Sequence, residues 1–401
     1  MRSIVLVFVV FGFCAAVRGE DGKNSAGLVL LDGSRQTVKS LTIAQDLVRG
    51  DGAASDLTLD DLQQIRSTYD VDDLPVIDVA AIVELVNGSR IYATGISIAE
   101  EKAKIEWWGG KPMIVPIDLL RSVQIELEKE SPEFEKSRSA PSAETDRLLV
   151  RNEQGNLDGI TGLIESLDQQ QVRVEVGGQV RTLARDRVYG IVFAQPVAGK
   201  SQPQCLVTFR DRSRLGGDTL AVSNGQVTLR VAPNAEAQFE WSNVSSVDIR
   251  SKRLAYLSDL TSVSEEQTPI VTAEMPARRD RSVAGNRLQV GPVFYEKGLG
   301  VHARSQIVFA TEGKWDTFVA AIGLDSESEG KGDCVFQVLA DGKSIFQQRV
   351  KGDDAFATDI RVPISGCQQL TLIVEPGEGL DLADHADWCE ARLIRNKSPG
   401  R

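Results

Sequence analysis

A chain of 401 residues with 42% hydrophobic content is apolar enough to fold and too long for one ordinary core, since single cores stop growing at about 250 to 300 residues. Two or more domains are therefore expected. Asp and Glu outnumber Lys and Arg 57 to 45, a formal net charge of -12, and no Lys/Arg block offsets it, which argues against nucleic acid or an anionic membrane surface as a partner.

The opening MRSIVLVFVVFGFCAAVRGE has one early Arg, an apolar run over residues 4–13 and then small residues. That is the layout of a secretory signal peptide, placed at residues 1–19, and it predicts a secreted, periplasmic or cell-envelope protein. The run falls short of the ~20 apolar residues a spanning helix needs, and no other stretch approaches that length, so an integral membrane protein is not expected. Cys14 follows Phe13, where a lipoprotein signal wants a small residue. Cys205, Cys334, Cys367 and Cys389 remain, an even number that permits disulfides in an oxidising compartment. The alternation of Cys389 with Ala391 and Leu393 favours a buried free thiol instead. No Cys/His spacing suits zinc.

From residue 28 the chain resembles itself several times. Residues 83–126 run from VELV through an Asn-Gly turn to two further strands and a closing LLRSVQIE; residues 149–194 and 206–251 follow the same course, with starts about 55 to 65 residues apart. Residues 28–67 read as a degenerate first copy whose LTLDDLQQI looks more helical. Such a period points to one supersecondary unit in tandem. Each unit is similar in shape to an SH3-like or Sm-like small β-barrel, with a Gly where the second strand bends. The first two copies fill residues 26–128, the third 147–194 and the fourth 204–252. Residues 129–146, charged and rich in Ser and Pro, read as a linker. Trp107 and Trp108 before Gly109-Gly110 form an aromatic tip that is either a binding surface or hairpin packing. Asn87-Gly88-Ser89 and Asn243-Val244-Ser245 match the glycosylation acceptor motif.

Residues 254–397 alternate with period two. CVFQVLA-DG-KSIFQQRV is a hairpin whose Asp341-Gly342 suits a type I′ turn, and IRVPI, LTLIV and a last strand over residues 388–394 complete the pattern. Short strands with turn signals between them predict a two-sheet sandwich, so the fold class is all-β throughout. The chain's two histidines, His302 and His385, both fall here, in KGLGVHARS and ADHADWCEAR.

These residues also carry a resemblance. Tyr295, Lys297 and GLGVHA, then AAIGLD at residues 320–325, LADGK at residues 339–343 and the closing DHADWCEARL resemble in order the NPCBM/NEW2 domain, the carbohydrate-binding module first described with glycoside hydrolase family 98 enzymes. The resemblance implies a galactose-binding-like β-sandwich, or jelly roll, with its first and last strands side by side, which would bring His302 to the DHADW loop. It says nothing of the first 250 residues.

Sugar recognition needs an apolar face for C–H groups and a few fixed polar groups for hydroxyls. His302, His385, Asp384, Asp387, Trp388 and Arg392 offer those types and are the candidate carbohydrate-binding residues. The competing reading is structural: Trp388 plugs one end of the core, and His302 is hydrogen-bonded to Asp387. Asp325, Glu327, Asp381, Asp384 and Asp387 are candidate oxygen ligands for a structural Ca²⁺, although no EF-hand spacing is present. Catalysis by paired carboxylates across a cleft finds no scaffold here, and no other cofactor is expected. The sequence thus reads as a secreted, non-catalytic glycan-binding protein. The alternatives are a glycosidase or accessory enzyme with its chemistry in the N-terminal region, and a protein-binding scaffold.

Overall fold

The computed structural model describes residues 24–53, 57–68, 76–128, 131–195, 202–354 and 356–397. The leader segment and Cys14 lie outside them. The chain divides into two units, Met1–Ser251 and Lys252–Arg401.

In the first unit, four stretches share one strand plan. A short strand runs into a turn and a second strand, further strands come next, and a single 3₁₀ turn leads to a last strand that returns antiparallel to the first. Leu28 thus faces Ile65, Val83 faces Val123, Leu148 faces Ile191 and Val207 faces Val247. All eight side chains are fully buried. In each stretch the register slips just past that pair, at Val29/Leu30, Glu84/Leu85, Leu149/Val150 and Thr208/Phe209. A bulge at that point raises the local twist and lets a short sheet curl back on itself. Gly162 marks a close approach of this kind, because a Cβ there would overlap the Glu175 carbonyl oxygen across the sheet.

Several readings of this region need correction. The segment LTLDDLQQI is not a helix: Thr58 caps a single turn, Leu59–Asp61, through the Asp61 carboxylate (2.8 and 2.7 Å), and Leu62–Ser67 is the return strand. Within residues 129–146 the chain forms an α-helix, Pro132–Ser139, capped by Ser131. Its one buried side chain, Phe134, packs on Tyr189 above Gly190, and Arg138 donates to both oxygens of Glu84 at 2.7 Å. Of the two readings of the Trp107–Trp108 tip, the packing one holds for Trp107 and the binding-surface one is set aside. Trp107 is buried edge-on against Phe209 (4.6 Å), and its indole N–H donates to the Lys111 carbonyl, while Trp108 is half-buried. The amides of Asn87 and Asn243 are engaged internally, donating to the carbonyls of Gly216 and Gly109.

The second unit is an antiparallel sandwich. One sheet holds, in order, Arg278–Arg279, Gly298–His302, His385–Ile394, Thr317–Leu324 and Thr358–Pro363, with Leu254–Tyr256 also paired to His385–Ile394; the other holds Ser264–Gln267, Ser305–Ala310, Gln369–Pro376, Asp333–Ala340 and Lys343–Lys351. Leu299, Val301, Phe309, Phe318, Phe336, Leu372, Trp388 and Leu393 fill the space between. The Asp341-Gly342 turn has φ of 48° and 78°, as a type I′ hairpin requires. Cys205, Cys334, Cys367 and Cys389 are buried and unpaired. A small hairpin, Leu288–Val290 with Val293–Tyr295, covers the outer face of the first sheet, its Leu288 and Val290 packed on Ala321 and Cys389. No helix among the described residues is long and apolar enough to cross a membrane.

Candidate functional site

The strands that carry the two histidines lie side by side. Gly298–His302 pairs antiparallel with His385–Ile394, so that His302 faces His385, Val301 faces Ala386, Gly300 faces Asp387 and Leu299 faces Trp388. Alternation then sorts the candidates onto two faces. Ala386 and Trp388 point into the sandwich, whereas His385, Asp387 and Cys389 point outward, beneath the covering hairpin and the loop at residues 281–286.

Trp388 is 1% exposed and packs edge-on against Phe336 at 4.9 Å and near Phe318 at 6.1 Å. It has no open ring face to offer a sugar. Arg392 is buried on the same strand and donates to the Glu390 carbonyl. Asp384, also buried, accepts from the Asp333 amide at 2.8 Å; burial, against that bond, pushes its pKa up to about 6.

Asp387 is fully buried, with glycines opposite it on both neighbouring strands, Gly300 and Gly323. A Cβ on Gly300 would overlap the backbone of Arg281 and Ser282, and one on Gly323 would overlap Val290. The two glycines are therefore what lets the outer layer close down on this sheet. Burial, and then the Asp325 carboxylate beside it, raise the Asp387 pKa well above the ordinary carboxylate range. Asp387 thus holds its proton more tightly than an ordinary carboxyl does, next to the Asp325 carboxylate.

The expected hydrogen bond from His302 to Asp387 is not formed, because the register sets them two residues apart. His302 Nδ1 lies 3.4 Å from the Ala303 carbonyl oxygen, its Nε2 has no hydrogen-bond partner among the described residues, and burial lowers its pKa. Its ring meets that of His385 edge-on at 5.5 Å.

His385 alone of the six keeps partial access to solvent, with 22% of its side chain exposed, and its Nδ1 lies 2.8 Å from Glu327 Oε1. Glu327 is held in turn by Ser282 Oγ at 2.8 Å and Asn286 Nδ2 at 3.0 Å on its other oxygen, and by the Ala284 amide. Burial opposes this carboxylate's charge, but the hydrogen bonds from Asn286, Ser282 and His385 outweigh it and hold the pKa below its ordinary value. The site is a polar clamp of His385, Glu327 and Asn286, an arrangement of fixed donors and acceptors at the mouth of a buried layer. Asn286 and Ser282 escape a reading of the sequence, since they come from a loop without periodicity; Glu327 was legible only as an acid after AAIGLD.

Of the five carboxylates considered for Ca²⁺, Asp381 and Asp325 are taken up by protein donors. Asp381 accepts from the amides of Ile270 (2.7 Å) and Val271 (3.0 Å) and from Thr272 Oγ1, while Asp325 accepts from the amides of Gln289 and Glu327. No group of three or more acidic, His or Cys side chains converges to hold a metal among the described residues.

Residues 253–394 match the family model described as NPCBM/NEW2 domain. A Renibacterium salmoninarum protein named "Putative endo-alpha-N-acetylgalactosaminidase" is 36% identical over 110 residues, which are 27% of this chain and 7% of that protein. The chain therefore spans only a small part of that relative's length. Among solved structures, a CBM51 module from Clostridium perfringens GH95 in complex with methyl-galactose is 31% identical, with 35% of this chain and 99% of that one covered at a TM-score of 0.32. The tandem CBM51 modules of a family 98 glycoside hydrolase from Streptococcus pneumoniae are 16% identical, with 92% and 88% covered at a TM-score of 0.32.

Proposed function

We propose, from the NPCBM/NEW2 domain that residues 253–394 carry, that the C-terminal unit binds a glycan and does not transform it, and that the chain works outside the cytoplasm as an envelope or extracellular glycan-binding component. The match to that domain is the observation that carries the reading. Within the domain, the His385–Glu327–Asn286 clamp is the contact point. It combines a fixed carboxylate, an amide and an imidazole, the groups that discriminate hydroxyl positions, and its His385 is the one of the six candidate residues that solvent partly reaches. The buried members of the motif, Asp384, Asp387, Trp388, Arg392 and His302, support it from beneath.

The four stretches of the first unit are, on this reading, tandem copies of one small barrel that carry the module. The shared strand plan and the four equivalent register slips support that.

The test is a glycan array with the full chain, with α-linked N-acetylgalactosamine as the first soluble probe because of the relative's name. Wild type binds, and His385→Ala loses at least tenfold in affinity, about 1.4 kcal/mol, with a denaturant midpoint within error of wild type, since the side chain is partly exposed. Binding that survives His385→Ala unchanged would remove the clamp from the site. Hydrolysis of aryl glycosides by the purified chain would overturn the non-catalytic reading.

A further inference from the structure

The clamp does not end at Asn286. The next residue, Arg287, lays its guanidinium over the ring of Phe294 at 4.8 Å and is itself held by Glu296 at 2.5 Å. Phe294 sits on the covering hairpin, directly opposite Gln289. Alternation gives the packing of that hairpin to Leu288 and Val290, which are buried, and leaves Phe294 52% exposed. Single exposed apolar side chains are ordinary on protein surfaces. Two things set this one apart. Its ring orientation is fixed from one side by a planar cation, as Arg–aromatic stacking does. And its hairpin is tied to the clamp by one carboxylate, since Asp325 accepts from the Gln289 amide at 3.0 Å with one oxygen and from the Glu327 amide at 2.9 Å with the other. Ser326 Oγ adds a contact to the Gly291 carbonyl. An unbroken series of contacts thus runs from His385 through Glu327, Asn286 and Arg287 to Phe294.

We infer that this strip is an extended glycan site, in which the His385–Glu327–Asn286 clamp takes one sugar and Phe294, steadied by Arg287, takes the apolar C–H face of the next. The chemical class of ligand is therefore an oligosaccharide of at least two units rather than a lone monosaccharide. A rigid, partly desolvated aromatic face gains affinity at low entropic cost, and it discriminates between glycans by the identity and linkage of the second sugar. This inference rests on the glycan-binding reading and sharpens its ligand.

The experiment measures affinity of the full chain by titration calorimetry for galactose, N-acetylgalactosamine and N-acetylglucosamine, and for di- and trisaccharides that end in each. Wild type is expected to bind one of the longer sugars about five- to tenfold more tightly than the matching monosaccharide, the worth of one aromatic contact. Phe294→Ala abolishes that advantage and leaves the monosaccharide affinity within about twofold; Phe294→Trp retains it. Phe294→Leu, which keeps apolar volume without the aromatic face, should behave as Phe294→Ala and guards against loss of hairpin packing. His385→Ala weakens both ligands. If the longer sugar has no advantage, or if Phe294→Ala and Phe294→Leu leave it intact or weaken both ligands equally, the extended site is wrong while the clamp stands. Failure of wild type to bind any sugar of the panel overturns the glycan reading and this inference together.

Discussion

The two faces of the strand His385–Ile394 are built on opposite terms. Its core face sets Trp388 among Phe336, Phe318 and Leu299 with no polar atom to satisfy other than an indole N–H. Its outer face holds His385, Asp387 and Cys389 under a thin layer of loop and hairpin, with Asp387 buried beside the Asp325 carboxylate. Alternation sorts residues 385–389 onto the two faces. A bulge at Glu390, whose φ is 51°, then shifts the phase, so that Ala391 and Leu393 face the core although Cys389, expected to share their face, points outward. The core face holds the sandwich together. The outer face gives up stability, through burial of groups that prefer water, and in exchange fixes Glu327 and His385 relative to each other at an opening to solvent. Functional sites are where a chain departs from its own packing rules, and here the departure stops at a single β-sheet.

That contrast is broken most severely by Trp388→Ala. Loss of the largest side chain of the sandwich core and the cavity left behind should cost about 3 to 5 kcal/mol, read as a lower midpoint in urea with an unchanged slope. A cost below about 1 kcal/mol would mean that the ring is not enclosed. Gly300→Ala attacks the outer layer instead. The added methyl would overlap the backbone of Arg281 and Ser282, so the covering loop must lift, at about 1 to 3 kcal/mol. Because Ser282 and Asn286 ride on that loop and hold Glu327, glycan affinity should fall with it. In Trp388→Ala, by contrast, the fraction that remains folded keeps its affinity.

How much of this was legible in the sequence differs between the faces. The alternation of LTLIV and CVFQVLA announced the sandwich, Asp341-Gly342 announced its hairpin, and the resemblance to the NPCBM/NEW2 domain implied that the two His-bearing strands would meet. The packing reading of Trp107 was legible too, since Ala103, Ile105 and Trp107 alternate along one strand and all face inward. The helix at Pro132–Ser139 was not legible as docked: a single apolar anchor, Phe134, makes no period, and its ion pair reaches Glu84, which lies 54 residues away. The clamp was half legible. His385 stood out by rarity, but Ser282 and Asn286 lie in a loop whose function depends on where long-range pairing brings it. Burial was the least legible property, because Asp384 and Asp387 are the residue type that composition places on the surface.

The smallest expected effect separates those two acids. Both have raised pKa values: burial takes Asp384 to about 6, and burial with the neighbouring Asp325 carboxylate raises Asp387 well above the ordinary carboxylate range. At pH 7 the fold therefore carries an ionised Asp384 against the cost of its burial. A carboxyl whose folded pKa lies above its unfolded one holds its proton more tightly in the fold. The stability this contributes is complete below about pH 4 and is lost as the pH rises to about 6. Asp384→Asn keeps an oxygen for the Asp333 amide and removes the charge, so it should stabilise the protein at pH 7 by on the order of 1 kcal/mol and by nothing at pH 4. The gain is limited because the new amide NH₂ needs an acceptor where Oδ2 had no hydrogen-bond partner among the described residues. His302 works in the opposite sense, since burial lowers its pKa and its contribution is lost as pH falls below about 6.5. The difference between mutant and wild-type midpoints across pH 4 to 7, rather than either curve alone, isolates Asp384. A difference that is flat over that range would place Asp384 in a solvated setting and set it further apart from the buried Asp387.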